Sequence, residues 1–491
     1  MAARGTIQLF VARGCVLVGG YIIAVTLARG LGPADYGVYG VIMSVLVWLE
    51  LASTSGIPAA TSKLIPEYQT RAPEVEQTAM AFLLAVSLAL LILCWVLAPS
   101  LAHLFHIEAG INLFRIAILD LPLYGVYNAY QAVLNGHRQF GTLSVGMITY
   151  SLTKVGGILL LLLLGLSISG ALVVNVFATV GALVYIASRV PLKRVWPAYS
   201  LLVPMLRLAL PYGLAMAAVQ VLLNLDLWSL KNMWTDRGEV IGMYVASLNI
   251  SRMMTVVPTV LAGVLFASLC WALARKNEVL AQNYIQAAMR FTLVVLAPCC
   301  LLMIQHAEDL MSLLYSSVYR PGGAYLRLQV IAFGLFAMFD LLGNALGAAG
   351  NYYRALSTVI FLIPVELILN RLLIPQFGGM GAAGSVALTM CIGTCIMGSV
   401  AYYRFGPLIK LPTLLRVVAA SALIALLSKQ LPVVGSWLLV KFVVLLAGYV
   451  LMLALLGELK GDDLKGFAFW DGGSRGEEDG AGKQPGIQTF P

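Results

Sequence analysis

Runs of about twenty apolar residues alternate with short polar loops along most of the chain, and fourteen such runs can be placed. They fall at roughly 8–28, 38–60, 79–98, 112–134, 141–164, 168–188, 208–227, 240–267, 287–305, 325–347, 354–374, 381–402, 414–428 and 433–456. A helix needs ~20 apolar residues to cross ~30 Å of hydrocarbon, and only an element that satisfies its own backbone hydrogen bonds survives there. The pattern therefore predicts an all-α polytopic membrane protein with about 14 transmembrane helices. The run at 414–428 is short for a full crossing. The last stretch, 457–491, is Gly-rich and charged with few aliphatic residues, and it is expected to be a disordered cytoplasmic tail because it cannot bury enough surface to order itself.

Composition excludes a soluble fold. The chain has 491 residues, 60% hydrophobic and only 11% charged, with a mean hydropathy of +0.90. Globular domains carry ~25% charged residues. The seven cysteines fall in or at the ends of predicted spans, as small packing residues would. The first apolar stretch lacks a small-x-small cleavage site and is expected to remain as the first span.

Positive charge then sets an orientation. With the N-terminus inside, the inner segments hold fifteen Lys and Arg, among them Arg138, Arg189, Lys193, Arg194, Arg275, Lys276, Arg354, Arg404 and Lys410. The outer loops hold six: Arg29, Lys231, Arg237, Arg320, Arg371 and Lys429; counting Arg115 and Arg327 near outer helix ends makes eight. Both termini are therefore expected in the cytoplasm, with the protein in the cell (inner) membrane.

The spacing of polar landmarks repeats. Asn135-Gly136-His137-Arg138 and Gly350-Asn351-Tyr352-Tyr353-Arg354 each follow one apolar span and precede another. Gly136 to Gly170 is 34 residues, as is Gly350 to Gly384. Gly37-Val38-Tyr39 is matched by Gly242-Met243-Tyr244. Six helices are thus used twice, 205–214 residues apart, and an even number per copy makes the repeat parallel, about a pseudo-twofold along the membrane normal. The expected organisation is an N-terminal six-helix lobe (1–190), a cytoplasmic linker (191–207), a C-terminal six-helix lobe (208–404), two additional helices (405–456) and the tail (457–491). In such proteins the site lies between the lobes at the midplane, and access alternates as one lobe rocks against the other. Pro122, Pro211, Pro258, Pro298 and Pro364 fall inside spans, where a missing N–H kinks a helix.

The stretch Leu27-Ala28-Arg29-Gly30-Leu31-Gly32-Pro33-Ala34-Asp35-Tyr36-Gly37-Val38-Tyr39-Gly40 resembles the ARxLGPxxYGxY signature of the polysaccharide transporter family, within the multidrug/oligosaccharidyl-lipid/polysaccharide exporter superfamily. Ser55-Gly56-Ile57-Pro58-Ala59-Ala60 and Gly136 with its basic neighbour fit the same family. The resemblance covers about residues 5–456. It implies a flippase that carries a saccharide on a polyprenyl diphosphate from the cytoplasmic to the outer leaflet, as O-antigen and exopolysaccharide flippases do. The partners it implies are membrane lipid, the polyprenyl-diphosphate oligosaccharide, and polysaccharide glycosyltransferases and polymerase, with no nucleic acid. No cofactor is expected beyond H⁺ or Na⁺ coupling.

Charges inside the spans each need a reason, because one at the bilayer centre costs ~2.5–3.5 kcal/mol or more. Cationic side chains on a wet cavity can replace the hydration shell of a diphosphate, and arginine's planar fork suits phosphate oxygens. On this reading Arg13, Lys154 and Arg252 are the expected substrate-binding residues, with Arg29 at the outer mouth. The bland alternative is an ion pair that locks helices together: Lys154 with Asp120, Arg13 with Glu50. Arg29 can equally cap a helix end or fix the Gly-Pro turn, and Lys441 can snorkel. Asp226, Asp340 and Glu366 are candidates for ion coupling, with Asn370 one turn beyond Glu366; each can also be a helix-helix hydrogen bond. His103 and His106 are too few for a metal site. Trp95, Trp228 and Trp234 are expected as interfacial anchors.

Two other functions compete. An antiporter of small cationic compounds would share the architecture but calls for an acidic, aromatic cavity. A membrane enzyme such as a saccharide polymerase or ligase calls for catalytic groups on a large outer loop. The longest outer loop, 306–325, holds only Glu308, Asp309 and Arg320 as charged groups, and no nucleophile-base constellation or phosphate loop is present.

Overall fold

A computed structural model describes residues 2–458 apart from 55, 108–109, 166, 191–194, 235–237, 432–434 and 436, with backbone alone at 2–4 and 6. Residues 459–491 of the expected tail and 191–194 of the expected linker lie outside the described residues. All regular structure described is helical, in eighteen α-helices. The first seven are α1 (Ala2–Thr54), α2 (Ile57–Glu67), α3 (Ala72–Leu104), α4 (Gly110–Ile118), α5 (Asp120–Gly136), α6 (Phe140–Leu164) and α7 (Ile168–Arg189). Then come α8 (Tyr199–Leu222), α9 (Leu225–Met233), α10 (Gly238–Ser251), α11 (Val256–Ala274), α12 (Glu278–Gln305) and α13 (Ala307–Leu314). The last five are α14 (Gly323–Ala348), α15 (Tyr352–Phe377), α16 (Gly379–Phe405), α17 (Leu411–Gln430) and α18 (Trp437–Leu455).

Among the described residues, twelve helical stretches are long and apolar enough to cross a membrane. The difference from fourteen has local causes. The runs at 8–28 and 38–60 fall in one stretch interrupted at Gly32, whose φ of 77° suits glycine alone and whose successor, Pro33, offers no N–H to continue the ladder. The run at 112–134 is divided at Leu119 into α4 and α5, of 9 and 17 residues. Side chains such as Leu163 (82% exposed) and Val443 (67%) stand outward, as hydrocarbon allows.

The chain forms two compact units. The larger holds residues 1–292 and 303–408; the smaller holds 293–302 and the chain from 409 onward. In the larger unit α1 packs along α6 and α10, and α14 along α16. Apolar clusters join α2, α3, α5 and α8, and separately α5, α6 and α7. In the smaller unit α17 and α18 pair around Val417, Ile424, Leu445 and Tyr449. Glu458 accepts from Thr413 (2.7 Å) and Arg416 (2.8 Å) at one end of that pair. At the other, Lys441 Nζ donates to the Ser428 and Leu431 carbonyls (2.7 and 2.8 Å), satisfying groups a helix C-terminus leaves open.

The two loops that carry the landmarks of the expected repeat share one hydrogen-bond pattern. His137, Arg138 and Gln139 N–H bond Val133, Asn135 and Leu134 carbonyls; Ala349, Gly350 and Asn351 bond Ala345, Gly347 and Leu346 in the same order. Arg138 and Gly350 both take positive φ, 55° and 78°. The sequence at 306–325 is not an open loop: it folds into α13 and the 3-10 turn Ser317–Gly322.

Candidate functional site

A cavity of about 380 Å³ lies in the larger unit. Both limbs of α1 line it (Val16, Gly20 and Ile23; Tyr36, Tyr39 and Ser44), with Tyr150 and Lys154 from α6, Gln220, Asn224 and Leu227 around the α8–α9 junction, and Asn249 and Arg252 just beyond. Lys154 falls in the expected N-terminal lobe and Arg252 in the expected C-terminal one, and the fold brings both to one space.

Lys154 sits in mid-helix, where Gly156 and Gly157 follow it. Its Nζ lies 3.4 Å from the hydroxyl of Tyr150, one turn earlier, and 5.5 Å from the centre of that ring. Glu50 and Asp120 are its charged neighbours. Asp120 opens α5, in the first turn of a helix, where backbone N–H groups favour a carboxylate. Asn175 Nδ2 donates to its Oδ2 at 2.7 Å.

Arg252 begins the 3-10 turn Arg252–Thr255 that separates α10 from α11. Its Nη2 donates to the Leu223 carbonyl (3.1 Å) and to Asn224 Oδ1 (2.9 Å), where α8 gives way to α9 and helical carbonyls lose their partners. The guanidinium lies 5.9 Å from the Phe333 ring. Asp226, in the first turn of α9, accepts a hydrogen bond from the Tyr244 hydroxyl and is an electrostatic neighbour of Arg252 and Glu366. One Asp226 oxygen, both Glu366 oxygens and Asn370 Oδ1 are buried without a hydrogen-bond donor among the described residues.

Other expected residues fall elsewhere. Arg13 is exposed on α1, makes no hydrogen bond or ion pair among the described residues, and precedes the cavity residue Val16 by three positions, on the same face. Glu50 faces Asp120 rather than Arg13. Arg29 is outside the cavity: its Nε and Nη2 donate to the Leu314 and Leu313 carbonyls (2.9 and 2.7 Å), the C-terminus of α13. Asp340 stands apart from Asp226 and Glu366, bonded to Asn344 on its own helix (3.3 Å). Trp228, three residues into α9, bonds inward: its Nε1 donates to Ser44 Oγ at 2.9 Å. Tyr150, Asn175, Asn224 and Tyr244 complete the site without having been singled out; the available signal was a polar side chain inside an apolar run.

Backbones approach closely at two places along and just beyond α1. A Cβ at Gly37 would lie 2.8 Å from the Gly242 nitrogen, and one at Gly242 would collide with the Pro33 carbonyl. Nearby, the Tyr319 hydroxyl donates to the Ala28 carbonyl (2.7 Å) and Asn249 to the Tyr36 hydroxyl (2.8 Å). Just beyond α1, at the start of α2, a Cβ at Gly56 would collide with the Ala209 carbonyl of α8.

Helices long and apolar enough to cross a membrane thus surround a cavity lined by two cationic side chains, Lys154 and Arg252. The chain belongs to the family described as "Polysaccharide biosynthesis protein", whose sequence profile matches residues 2–269. No curated protein sequence matches it. Its fold is similar to that of "Lipid II flippase MurJ, inward closed conformation", at TM-score 0.77 and 14% identity over 92% of this chain and 98% of that one. It is similar also to a multidrug resistance MATE family transporter of the MOP superfamily in an inward-facing conformation (TM-score 0.69, 16% identity, 79% and 94%). A third is a MOP superfamily transporter from Pyrococcus furiosus, described by the reverse polarity of its binding pocket (TM-score 0.58, 16% identity, 86% and 96%).

Proposed function

We propose that the protein is a flippase that moves polyprenyl-diphosphate-linked oligosaccharide from the cytoplasmic to the outer leaflet, for cell-surface polysaccharides such as O-antigen or exopolysaccharide. The observation that carries this reading is the pairing of Lys154 and Arg252, one from each expected lobe, on one cavity. A diphosphate between them would keep counter-charges while its water is removed, and the lipid tail would stay in the bilayer. Arg13, one turn below the cavity, would meet the headgroup on entry.

Access would alternate between lobes 1–190 and 208–404. The Gly37–Gly242 contact would be the outer seam and the Gly56–Ala209 contact the inner one, given cytoplasmic termini. Arg29 would join the substrate path only after releasing the carbonyls of α13, when the outer seam opens. Asp226, Glu366 and Asn370 would supply the coupling site: four unpartnered buried oxygens suit H⁺ or Na⁺, and a buried acceptor without a donor is costly.

The fold likeness to MATE transporters supports a second reading, ion-coupled export of small molecules. Two cations on the cavity wall oppose cationic cargo. The test is a leaflet-access assay in proteoliposomes with a labelled polyprenyl-diphosphate oligosaccharide, supplied with H⁺ and Na⁺ gradients. Translocation by the wild type and its loss in Arg252→Ala is expected. No translocation by the wild type would favour the small-molecule reading.

A further inference from the structure

Glu50 and Asp120 are 7% and 0% exposed, on separate helices, with their carboxyl groups within hydrogen-bond reach of each other. Glu50 Oε1 and Asp120 Oδ1 receive no donor from any described residue. The neighbouring Asn175, 2% exposed, spends its Nδ2 on Asp120 and leaves its own Oδ1 without a donor. Two buried carboxylates that face each other repel, and a proton held between them relieves that repulsion. No ion pair links either acid to Lys154 among the described residues, although both are its electrostatic neighbours. The titratable groups facing the pair are Lys154 and Tyr150 from α6 and Tyr124 from α5, while α7 adds the neutral Asn175 and Thr179. Glu50 and Asp120 do not line the cavity, whereas Lys154 does.

We propose that the Glu50–Asp120 pair is a proton-binding site whose proton decides whether Lys154 is available to an anion in the cavity. The inference rests on the flippase reading for the identity of that anion. With one proton on the pair, the two carboxyl groups carry a single negative charge that balances Lys154. A second proton removes the balance and leaves one uncompensated positive charge facing the cavity. An arriving diphosphate favours that state, so headgroup and proton bind together. The proton comes from water in the cavity and returns to that water when the headgroup leaves.

Two measurements test this separately from transport. Infrared difference spectra of the protein in membranes, taken on acidification without any ligand, should show the C=O stretch of a protonated buried carboxyl. That band should disappear in Glu50→Gln and in Asp120→Asn; a spectrum unchanged in both variants would overturn the proposal even if the cavity carries diphosphate. Binding of a polyprenyl diphosphate should then tighten roughly tenfold from mildly alkaline to mildly acidic solution in the wild type, about one titrating group's worth. The Glu50→Gln/Asp120→Asn protein should bind with an affinity less dependent on pH; the probe's own titration is common to both proteins and cancels. Persistence of the full wild-type slope in that variant would sink the idea, as would a dependence on Na⁺ in place of H⁺. A monodisperse elution profile shows that each variant is folded.

Discussion

Lys154 and Arg252 face the same cavity, yet the walls behind them are built on different rules. Arg252 is seated: its guanidinium is fixed by the Leu223 carbonyl and Asn224 Oδ1, groups exposed because α8 breaks there. Lys154 has one long contact, 3.4 Å to the Tyr150 hydroxyl, with two carboxyl groups set behind it. A planar fork held in advance loses little freedom when an anion arrives. An ammonium on a four-carbon stem is a movable point charge, and its neighbours decide how much of that charge the cavity feels. One cavity wall thus holds a fixed guanidinium and the other a movable ammonium.

The largest expected effect follows from that contrast. Arg252→Ala should lower oligosaccharide translocation on the order of 100-fold, the equivalent of about 3 kcal/mol, because it removes the charge and unties the α8–α9 junction. Lys154→Ala should lower it about tenfold. Arg252→Lys keeps the charge without the fork and should stay close to Arg252→Ala. Initial rates in proteoliposomes decide the matter, and equal losses at the two cations would break the comparison.

Coupling sharpens it next. Asp226→Asn should reduce uphill accumulation under an imposed H⁺ or Na⁺ gradient by roughly tenfold, on the scale of one lost charge-assisted contact, while downhill equilibration persists. Asp340→Asn should leave accumulation near the wild-type value, since Asp340 bonds only within its own helix turn. A coupling defect at Asp340 equal to that at Asp226 would show that the unpartnered oxygens around Glu366 are not the coupling site.

Much of this was legible in the chain. Apolar run length gave the helical membrane class, because the bilayer imposes one length and one backbone solution. The LARGLGPADYGVYG stretch pointed to the family, and the fold gives its glycines a reason: Gly37 lies against the backbone of Gly242. The loops around Arg138 and Gly350 share one hydrogen-bond pattern, in a register two residues away from the one that aligns Gly136 with Gly350. Partner choice was not legible. Depth along a helix placed Glu50 within reach of Arg13, but depth carries no information about azimuth, and the side chain turns to Asp120 instead. For Arg29 the helix-capping alternative holds, but which helix was opaque, because the acceptors are backbone carbonyls 284 and 285 residues away. Helix breaks at Leu119 and Leu223–Asn224 also escaped the apolar pattern, since hydropathy does not change across them.

Stability gives a smaller, cleaner contrast. Asn175→Ala removes a buried 2.7 Å donor from Asp120 and should cost about 1–3 kcal/mol, the penalty for stranding a buried acceptor. Thermal unfolding of the purified protein, followed by loss of monodispersity, would register that as a lowered midpoint. An unchanged midpoint would mean that water or a relocated side chain takes over the bond, and the carboxyl pair would then be less enclosed than its burial implies.

The smallest effect is the most discriminating. Tyr150→Phe removes the hydroxyl nearest Lys154 and keeps the ring beneath it. At 3.4 Å that hydrogen bond is at the limit of useful geometry, so its loss should change stability and transport by less than ~0.5–1 kcal/mol. The ring retains its attraction for the ammonium, and the charge balance with Glu50 and Asp120 is untouched. A near-wild-type Tyr150→Phe beside a defective Lys154→Ala would confirm that Lys154 acts as a movable charge rather than a seated one. If Tyr150→Phe instead matched Lys154→Ala, the hydroxyl would be holding the ammonium as firmly as the α8–α9 junction holds Arg252, and the two walls would follow one rule.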